Sequence, residues 1–200
     1  MIEKVVTSGK FELDGGSWDV DNNVWLVGDE NEVLVIDPAH DAEAILAAVG
    51  KRRVTAIVCT HGHNDHIGAA EAVKTATGVP VWLHPADRML WDVVYPELPP
   101  DGELSDGQDL PVAGTVLSVR HAPGHSPGSV SLYSADLGVV FTGDTLFNGG
   151  PGATGRSYSD FDTIVASISA RLLTLAPDTT VHTGHGDDTT IGAEAAHRQD

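Results

Sequence analysis

The 200-residue sequence has a formal net charge of −18, with 11 Lys and Arg against 29 Asp and Glu. This charge argues against nucleic acid and anionic membrane surfaces as partners, because both bind clustered basic residues. The apolar fraction of 41% is ordinary for a globular protein, and the length predicts one domain over residues 1–200.

Cysteine content and the apolar runs predict a cytoplasmic protein. Cys59 is the single cysteine, so no intramolecular disulfide can form. Residues 1–11 lack the apolar core of a signal peptide, and no apolar run approaches the length of a membrane span. We expect a small-molecule substrate, and the sequence leaves the oligomeric state open.

The first half of the sequence alternates between strand and helix patterns. Gly50 and Gly78 follow the two helical patterns and are expected to end them. Short β-rich apolar runs predict strands. The predicted strands are 24–26, 33–36, 54–59 and 81–83, and the predicted helices are about 41–49 and 67–77.

The second half begins with a Pro-, Asp- and Gly-rich segment, 95–107, which is predicted to be a loop. Ser159 with Asp162 three residues later resembles a capping box, and it predicts a helix start. The buried face of that helix is expected to carry Phe161, Ile164, Val165, Ile168 and Leu172. Strands are predicted at 115–120, 129–133, 139–142 and 180–183, and a Gly-rich loop at 148–155.

The strands therefore fall into two series, each interleaved with helices. This pattern predicts an α/β protein with two packed sheets and helices outside them. Nearly all of the histidines fall in loops at strand ends.

The segment from His61 to His66 carries most of the functional information. It places His61, His63, Asp65 and His66 directly after a predicted buried strand. In an extended segment, residues two apart point the same way, so His61 and His63 can bind one ion. Asp65 and His66 lie where the chain turns into a helix, and they can reach a second ion. Imidazole with carboxylate suits zinc, iron or manganese.

Three later residues have the same character. His125, Asp144 and His185 each lie beside glycine at a strand end, where glycine permits the backbone bends that bring ligands together. Each is a weak signal alone, but with the first cluster they complete five histidines and two aspartates. That set is sufficient for two ions that share a bridging carboxylate.

The remaining histidines are not assigned to metal. His40 and His197 are interpreted as surface residues. Three others adjoin strands and are interpreted as structural groups: His84, His121 and His182.

With these motifs in order, the sequence resembles the metallo-β-lactamase superfamily over nearly its whole length. The segment 60–66 fits the family's His-x-His-x-Asp-His motif, and 123–129, 143–145 and 184–186 fit its later metal motifs. The resemblance implies an αββα sandwich of two mixed β-sheets with helices outside and the metals at one edge.

The resemblance also implies a distribution of ligands between two ions. The first ion would be bound by His61, His63 and His125. The second would be bound by Asp65, His66 and His185. Asp144 would bridge the two.

Within the superfamily, the chain is similar to short, single-domain glyoxalase II-type hydrolases. The segment 143–147 and the pair Gly155-Arg156 carry this similarity. It implies a hydroxyacyl thioester of a low-molecular-weight thiol as substrate, and two divalent ions, with zinc favoured and iron or manganese as alternatives. Arg156 either binds a substrate carboxylate or forms a structural ion pair with Asp160 or Asp162.

The chemistry expected of such a centre is attack of water on a carbonyl carbon, with Asp65 orienting the water and accepting its proton. A thiolate departs without a strong general acid, so thioesters are favoured over amides. Two alternatives stay open. One is a persulfide dioxygenase with a single iron at His61, His125 and Asp144, and the other is a lactonase.

Overall fold

The computed structural model describes residues 1–197 and contains two six-stranded sheets. The first sheet has its strands in sequence order. Its first three strands are antiparallel, and the pairings from the third to the sixth are parallel. The strands are β1 (Ile2–Leu13), β2 (Gly16–Gly28), β3 (Glu32–Ile36), β4 (Arg53–Val58), β5 (Val81–Leu83) and β6 (Gly102–Glu103).

The second sheet is also mixed, with the order β14-β13-β10-β9-β8-β7 and one parallel pair, β10 with β13. A two-stranded ribbon, β11 (Leu146–Phe147) with β12 (Gly150–Pro151), follows its central strand. The sheet strands are β7 (Asp109–Val112), β8 (Thr115–His121), β9 (Val130–Ser134), β10 (Val139–Gly143), β13 (Thr180–Thr183) and β14 (Thr189–Thr190).

Six short helices accompany the sheets, and no helix in residues 1–197 is long and apolar enough to cross a membrane. A 3₁₀ turn, Pro85–Asp87, leads into the fourth helix, and a π-helical turn, Ile168–Leu172, continues the fifth. The helices are α1 (Ala42–Val49), α2 (Asn64–Ile67), α3 (Ala70–Thr77), α4 (Arg88–Val94), α5 (Phe161–Ser167) and α6 (Ile191–His197).

The apolar core lies in three layers. The inner faces of the two sheets pack on each other, as Trp25 of β2 on Phe141 of β10 shows. The outer face of the first sheet packs under α1 and α3, with Ile45 and Val73 fully buried. The outer face of the second sheet packs against α5 and α6. This arrangement confirms the expected αββα sandwich.

The long N-terminal hairpin is the largest difference from the sequence-based assignment. β1 pairs with β2 along its whole length, although Thr7 is its single fully buried residue. The turn uses Asp14 and Gly15, both with positive φ. An Asp-Gly pair between strands is a strong hairpin signal, and it was available in the sequence.

The helix predicted at 67–77 corresponds to α3, which starts three residues later, at Ala70, and ends as expected before Gly78; α2 is a separate short helix that ends at Ile67. The segment 95–107 contains β6, and the Gly-rich loop contains β12. The strand at 180–183 is not the last element, since β14 and α6 follow it. β6, β12 and β14 have two residues each, too few to show a periodic pattern, and β7, which was also missed, has four.

The predicted capping box at Ser159 is wrong. Asp160 is the N-cap of α5, and its side chain accepts a hydrogen bond of 2.7 Å from the amide of Thr163. The Ser159 hydroxyl instead donates to the carbonyl of Arg156 at 2.8 Å. Phe161, expected on the buried face, is 60% exposed because it lies in the first turn.

Candidate metal centre

The loop after β4 carries two of the expected ligands, His61 and His63, and α2 carries two more, Asp65 and His66. Residues 59–63 leave the buried end of the strand, and α2 starts at Asn64. Gly62 is required here, since a Cβ at that position would lie 2.9 Å from Cβ of Leu90. His61 and His63 therefore leave the loop on either side of a residue that has no room for a side chain.

His61, His63 and His125 form the first trio, and all three are buried. Nδ1 of His63 lies 3.0 Å from Nε2 of His125. Ligand atoms from all three residues lie within 4.8 Å of one another. The trio joins the two halves of the fold, because His125 lies in the turn between β8 and β9.

Asp65, His66 and His185 form the second trio. Nε2 of His185 lies 3.3 Å from Nε2 of His66 and 3.4 Å from Oδ2 of Asp65. His185 follows β13, whereas the other two belong to α2. The second trio therefore also draws its members from both halves of the fold.

Asp144 lies between the two trios. Its Oδ2 is 3.5 Å from Nε2 of His125 in the first trio and 3.3 Å from Nε2 of His185 in the second. Its Oδ1 is 3.2 Å from Nε2 of His66. The structure thus brings all seven predicted residues together, with one carboxylate facing both groups of histidines.

This donor set fits metal ions. Among the described residues, Nε2 of His61 and Oδ1 of Asp65 are buried with no hydrogen-bond partner, which is costly unless a ligand completes the site. Two ligands on one tetrahedral zinc, at 2.0–2.1 Å each, lie about 3.4 Å apart. The 3.0–3.5 Å separations between nitrogens and oxygens in this cluster match that spacing.

The imidazoles are oriented by partners on Nδ1. The carbonyl of Ala153 is 2.9 Å from Nδ1 of His125, and the carbonyl of Asp21 is 2.7 Å from Nδ1 of His185. Carbonyls only accept, so both Nδ1 atoms are protonated in neutral rings and both Nε2 atoms present lone pairs to the centre.

Asp37 was missed in the sequence as a functional residue. It is buried and accepts hydrogen bonds from the amide and hydroxyl of Thr60, at 2.6 and 2.7 Å. Its Oδ2 also lies 3.0 Å from Nδ1 of His66. Its position was a usable signal, because Asp37 follows β3 and β3 is the parallel neighbour of β4.

Asn22 is a second missed residue. It lies at 0% exposure in β2, and its amide nitrogen donates to Oδ2 of Asp65 at 3.1 Å. Its Oδ1 is 2.8 Å from Nε2 of His40. His40 is accordingly half-buried, so its interpretation as a surface residue is wrong. Burial lowers the pKa of His40.

The two trios differ in charge. Burial lowers the pKa of His63 to about 3, and burial with the neighbouring imidazoles holds the pKa of His61 well below its usual value. Burial also disfavours charge on His185, but the Asp144 and Asp65 carboxylates raise its pKa to about 10. The same carboxylates raise the pKa of His66. His61 and His63 are therefore neutral, whereas in the metal-free protein the carboxylates favour protonated rings at His66 and His185.

A small cavity of about 30 Å³ opens beside the first trio. Its lining includes His63, His125, Phe11 and Arg156. The guanidinium carbon of Arg156 lies 3.8 Å from the ring centre of Trp18 and 5.5 Å from that of Phe11. No ion pair of Arg156 with Asp160 or Asp162 is present in residues 1–197, so the structural alternative for this arginine is not observed.

The other histidines lie outside the ligand groups. His84 and His121 stack on each other with ring centres 4.1 Å apart. His182 is 2.8 Å from Asp188 and packs on Trp25. The side chain of His197 is 58% exposed.

Comparisons with known proteins agree with this geometry. The model of the metallo-beta-lactamase superfamily matches residues 18–185. A hydroxyacylglutathione hydrolase, GloC, from Haemophilus influenzae is 34% identical over 181 residues, covering 83% of this chain and 85% of the relative.

Two solved structures share the fold. The B3 metallo-beta-lactamase BLEG-1 superposes with a TM-score of 0.82 at 33% identity, covering 96% of this chain and 97% of that one. The protein TTHA1623, in a di-iron-bound form, superposes with a TM-score of 0.75 at 36% identity, covering 88% and 93%. With the family model spanning most of the sequence, this chain belongs to the metallo-beta-lactamase superfamily.

Proposed function

We propose that this chain is a binuclear metal-dependent hydrolase that cleaves a hydroxyacyl thioester of a low-molecular-weight thiol. The observation that carries the proposal is the position of Asp144, whose carboxylate faces both trios at 3.2–3.5 Å. Similarity to a hydroxyacylglutathione hydrolase supports the choice of substrate class.

The proposed ligands are His61, His63 and His125 for the first ion and Asp65, His66 and His185 for the second, with Asp144 between them. Five imidazoles and two carboxylates favour zinc, with iron or manganese as alternatives. Divalent ions in such a centre supply Lewis acidity and lower the pKa of water.

Asp65 is proposed as the residue that orients the attacking water and accepts its proton. Its Oδ2 is fixed by Asn22, whereas its Oδ1 is buried without a partner and is free to accept from water. A carboxylate fixed on one oxygen can hold a proton acceptor in one place through the reaction.

The residues that line the cavity favour a substrate whose leaving group departs without being protonated. In the described chain, the residues around this cavity contribute hydroxyl, imidazole, apolar and guanidinium groups, but no Lys, Asp or Glu. A thiolate leaves without a general acid, because the pKa of a thiol is about 8.5. An amide nitrogen must be protonated by a general acid before it leaves. Among the described residues Arg156 forms no ion pair with a carboxylate, and it is proposed to bind an anionic group of the substrate.

The test combines metal analysis with a hydrolysis assay. Purified metal-replete protein should contain close to two Zn, Fe or Mn per chain and should hydrolyse thioesters of small hydroxy acids. One iron per chain together with oxygen uptake on a persulfide would establish the dioxygenase alternative.

A further inference from the structure

Asp87 is a buried carboxylate that belongs to neither trio. It lies at 0% exposure at the end of the 3₁₀ turn Pro85–Asp87. Its Oδ2 accepts hydrogen bonds from the amide of Gly62, at 2.8 Å, and from the hydroxyl of Ser126, at 2.6 Å. Its Oδ1 accepts from the amide of Gly128 at 2.5 Å.

The three donors belong to the two loops that carry the first trio. Gly62 stands between His61 and His63, and Ser126 follows His125 directly. One loop leaves the first sheet and the other joins two strands of the second sheet. Asp87 therefore connects the loops across the gap between the sheets, at the place where the first trio is assembled.

The contact is tight as well as polar. A Cβ at Gly128 would lie 2.7 Å from Cγ of Asp87, and a Cβ at Gly62 would lie 3.2 Å from its Cβ. Asp87 itself is fixed by α4, whose Leu90 and Trp91 are buried. The Asp87 carboxylate is therefore held in one position, and each loop packs against it at a glycine, Gly62 or Gly128.

Because Asp87 is a buried carboxylate, its three hydrogen bonds are costly to break. Among the described ion pairs, none gives Asp87 a basic partner. A buried carboxylate without a cation depends on its hydrogen-bond donors, and bonds to a charged acceptor are about twice as strong as neutral ones. Loss of one donor would leave the Asp87 carboxylate poorly solvated. This cost keeps the two loops at a fixed spacing.

Asp37 supplies a matched comparison within the same protein. It is also buried, and it lies against His66 of the second trio. Asp87 instead contacts the backbone and the serine beside the ligands of the first trio. Asp37 also accepts from Thr60, the neighbour of His61, so it contacts both halves of the centre, whereas the hydrogen bonds of Asp87 go to the loops of the first trio.

We infer that Asp87 is a positioning residue for the first metal site, where it sets the spacing between the His61–His63 loop and the His125 turn. The inference rests on the two-ion centre of the proposed function, but not on the identity of the substrate. A carboxylate in this position controls the affinity of one ion and leaves the other nearly unchanged.

The experiment measures Co²⁺ and Zn²⁺ affinity of the full chain in two single-site backgrounds. His185→Ala weakens the second site, and His125→Ala weakens the first. Asp87→Asn keeps the shape of the side chain but turns an NH₂ group toward donors. In the His185→Ala background, which retains the first site, Asp87→Asn should lower the metal affinity about 10–100-fold. This is the usual effect of removing a residue that orients metal ligands. In the His125→Ala background the change should stay below about threefold.

Two further variants keep the test decisive. Asp37→Asn should instead lower the affinity of both sites, because Asp37 lies against His66 of the second trio and also accepts from Thr60, beside His61 of the first. Ser126→Ala removes one of the three hydrogen bonds and should give a smaller loss at the first site, so it replaces Asp87→Asn if that variant does not fold. Equal effects of Asp87→Asn on both sites, or no effect on either, would overturn the inference. Absence of metal binding in both backgrounds would overturn the two-ion centre itself.

Discussion

Gly184 and Asp144 are in direct contact across the end of the second sheet. A Cβ at Gly184 would lie 2.3 Å from Oδ1 of Asp144 and 2.8 Å from Cε1 of His66. The missing side chain at Gly184 is therefore what allows the shared carboxylate and a histidine of the second trio to approach each other.

Gly184→Ala should displace Asp144 and lower the metal content well below two ions per chain. Gly186→Ala is the matched control, because Gly186 has nothing within 4 Å of its Cβ position and φ of 68°. That control should cost about 1–2 kcal/mol of stability through backbone strain but retain the metal. Elemental analysis and thermal unfolding of both variants separate the two effects, and full metal content in Gly184→Ala would contradict the first expectation.

Asp144→Ala should lose both ions and at least a thousandfold in kcat, since its carboxylate faces both trios. For comparison, removing a single group that stabilises the transition state costs about 10²–10³. His84→Ala should retain metal at the wild-type level, because His84 stacks on His121 outside the ligand groups. Equal metal loss in the two variants would show that one assignment is wrong.

Rate should depend on the leaving group. Thioesters of small hydroxy acids should turn over at least tenfold faster than matched oxygen esters, and amides should be slower still, because each 1.4 kcal/mol, roughly, of added barrier costs a factor of ten. The measurement is kcat/KM on a matched thioester, ester, lactone and amide set. A lactone hydrolysed faster than every thioester would refute the thioesterase proposal and leave the two-ion centre intact.

Arg156→Ala should raise KM about tenfold for thioesters that carry a carboxylate, with little change in kcat, because a charge-assisted hydrogen bond is worth roughly 1.5–3 kcal/mol. KM for a neutral thioester should not change. Arg156→Lys should recover part of the loss, since lysine keeps the charge but not the planar stacking on Trp18. Arg53→Ala, which removes an exposed partner of Glu32, is the control.

His84 should make the metal-free protein less stable in acid. Burial, with the adjacent His121, lowers the pKa of His84 to about 4 from 6.5. As the pH falls, the unfolded chain therefore binds a proton at His84 at a higher pH than the folded chain does. The contribution of His84 to stability is complete above pH 6.5 and is lost as the pH falls toward 4. The effect should be on the order of 1 kcal/mol, because solvent screens the half-buried ring.

His84→Asn tests this pH dependence, because asparagine keeps an acceptor for the amide of Ala86 and does not titrate. Urea unfolding with a chelator present, at pH 7 and pH 4.5, should show a smaller acid loss in the variant. The same loss in both proteins would assign the acid sensitivity to other groups.

The spacing of ligand-type residues was sufficient to predict the centre because chemistry limits the choices. His61, His63, Asp65 and His66 follow one apolar strand, and three more such residues follow glycine-flanked strand ends. Strand ends meet at one edge of a sandwich, so residues far apart in the sequence could be grouped correctly. The two-sheet architecture followed from the same alternation of strand and helix patterns.

Other features could not be read from local patterns. β1 has one fully buried residue, so its periodic signal is weak, and it forms by pairing with β2. The helix pattern at 67–77 gave no sign of the break before Ala70. Ser159 and Asp160 are both good N-caps, and the choice between them depends on which side chain reaches the amide of Thr163.

By itself, the sequence determined which ligand-type residues are available to the proposed centre, because only certain side chains bind metal and their order along the chain is fixed. The tertiary structure decided the partners of those donors. Asn22 and Asp87 carry no local signature, and Asp37 carries only its place directly after a strand, since Asp and Asn are common at turns and strand ends. Their roles arise from burial and from hydrogen bonds to residues 23 to 43 positions away. The contacts of Asp37 and Asn22 exist only once the first sheet has formed, and those of Asp87 with Ser126 and Gly128 only once the two sheets have packed.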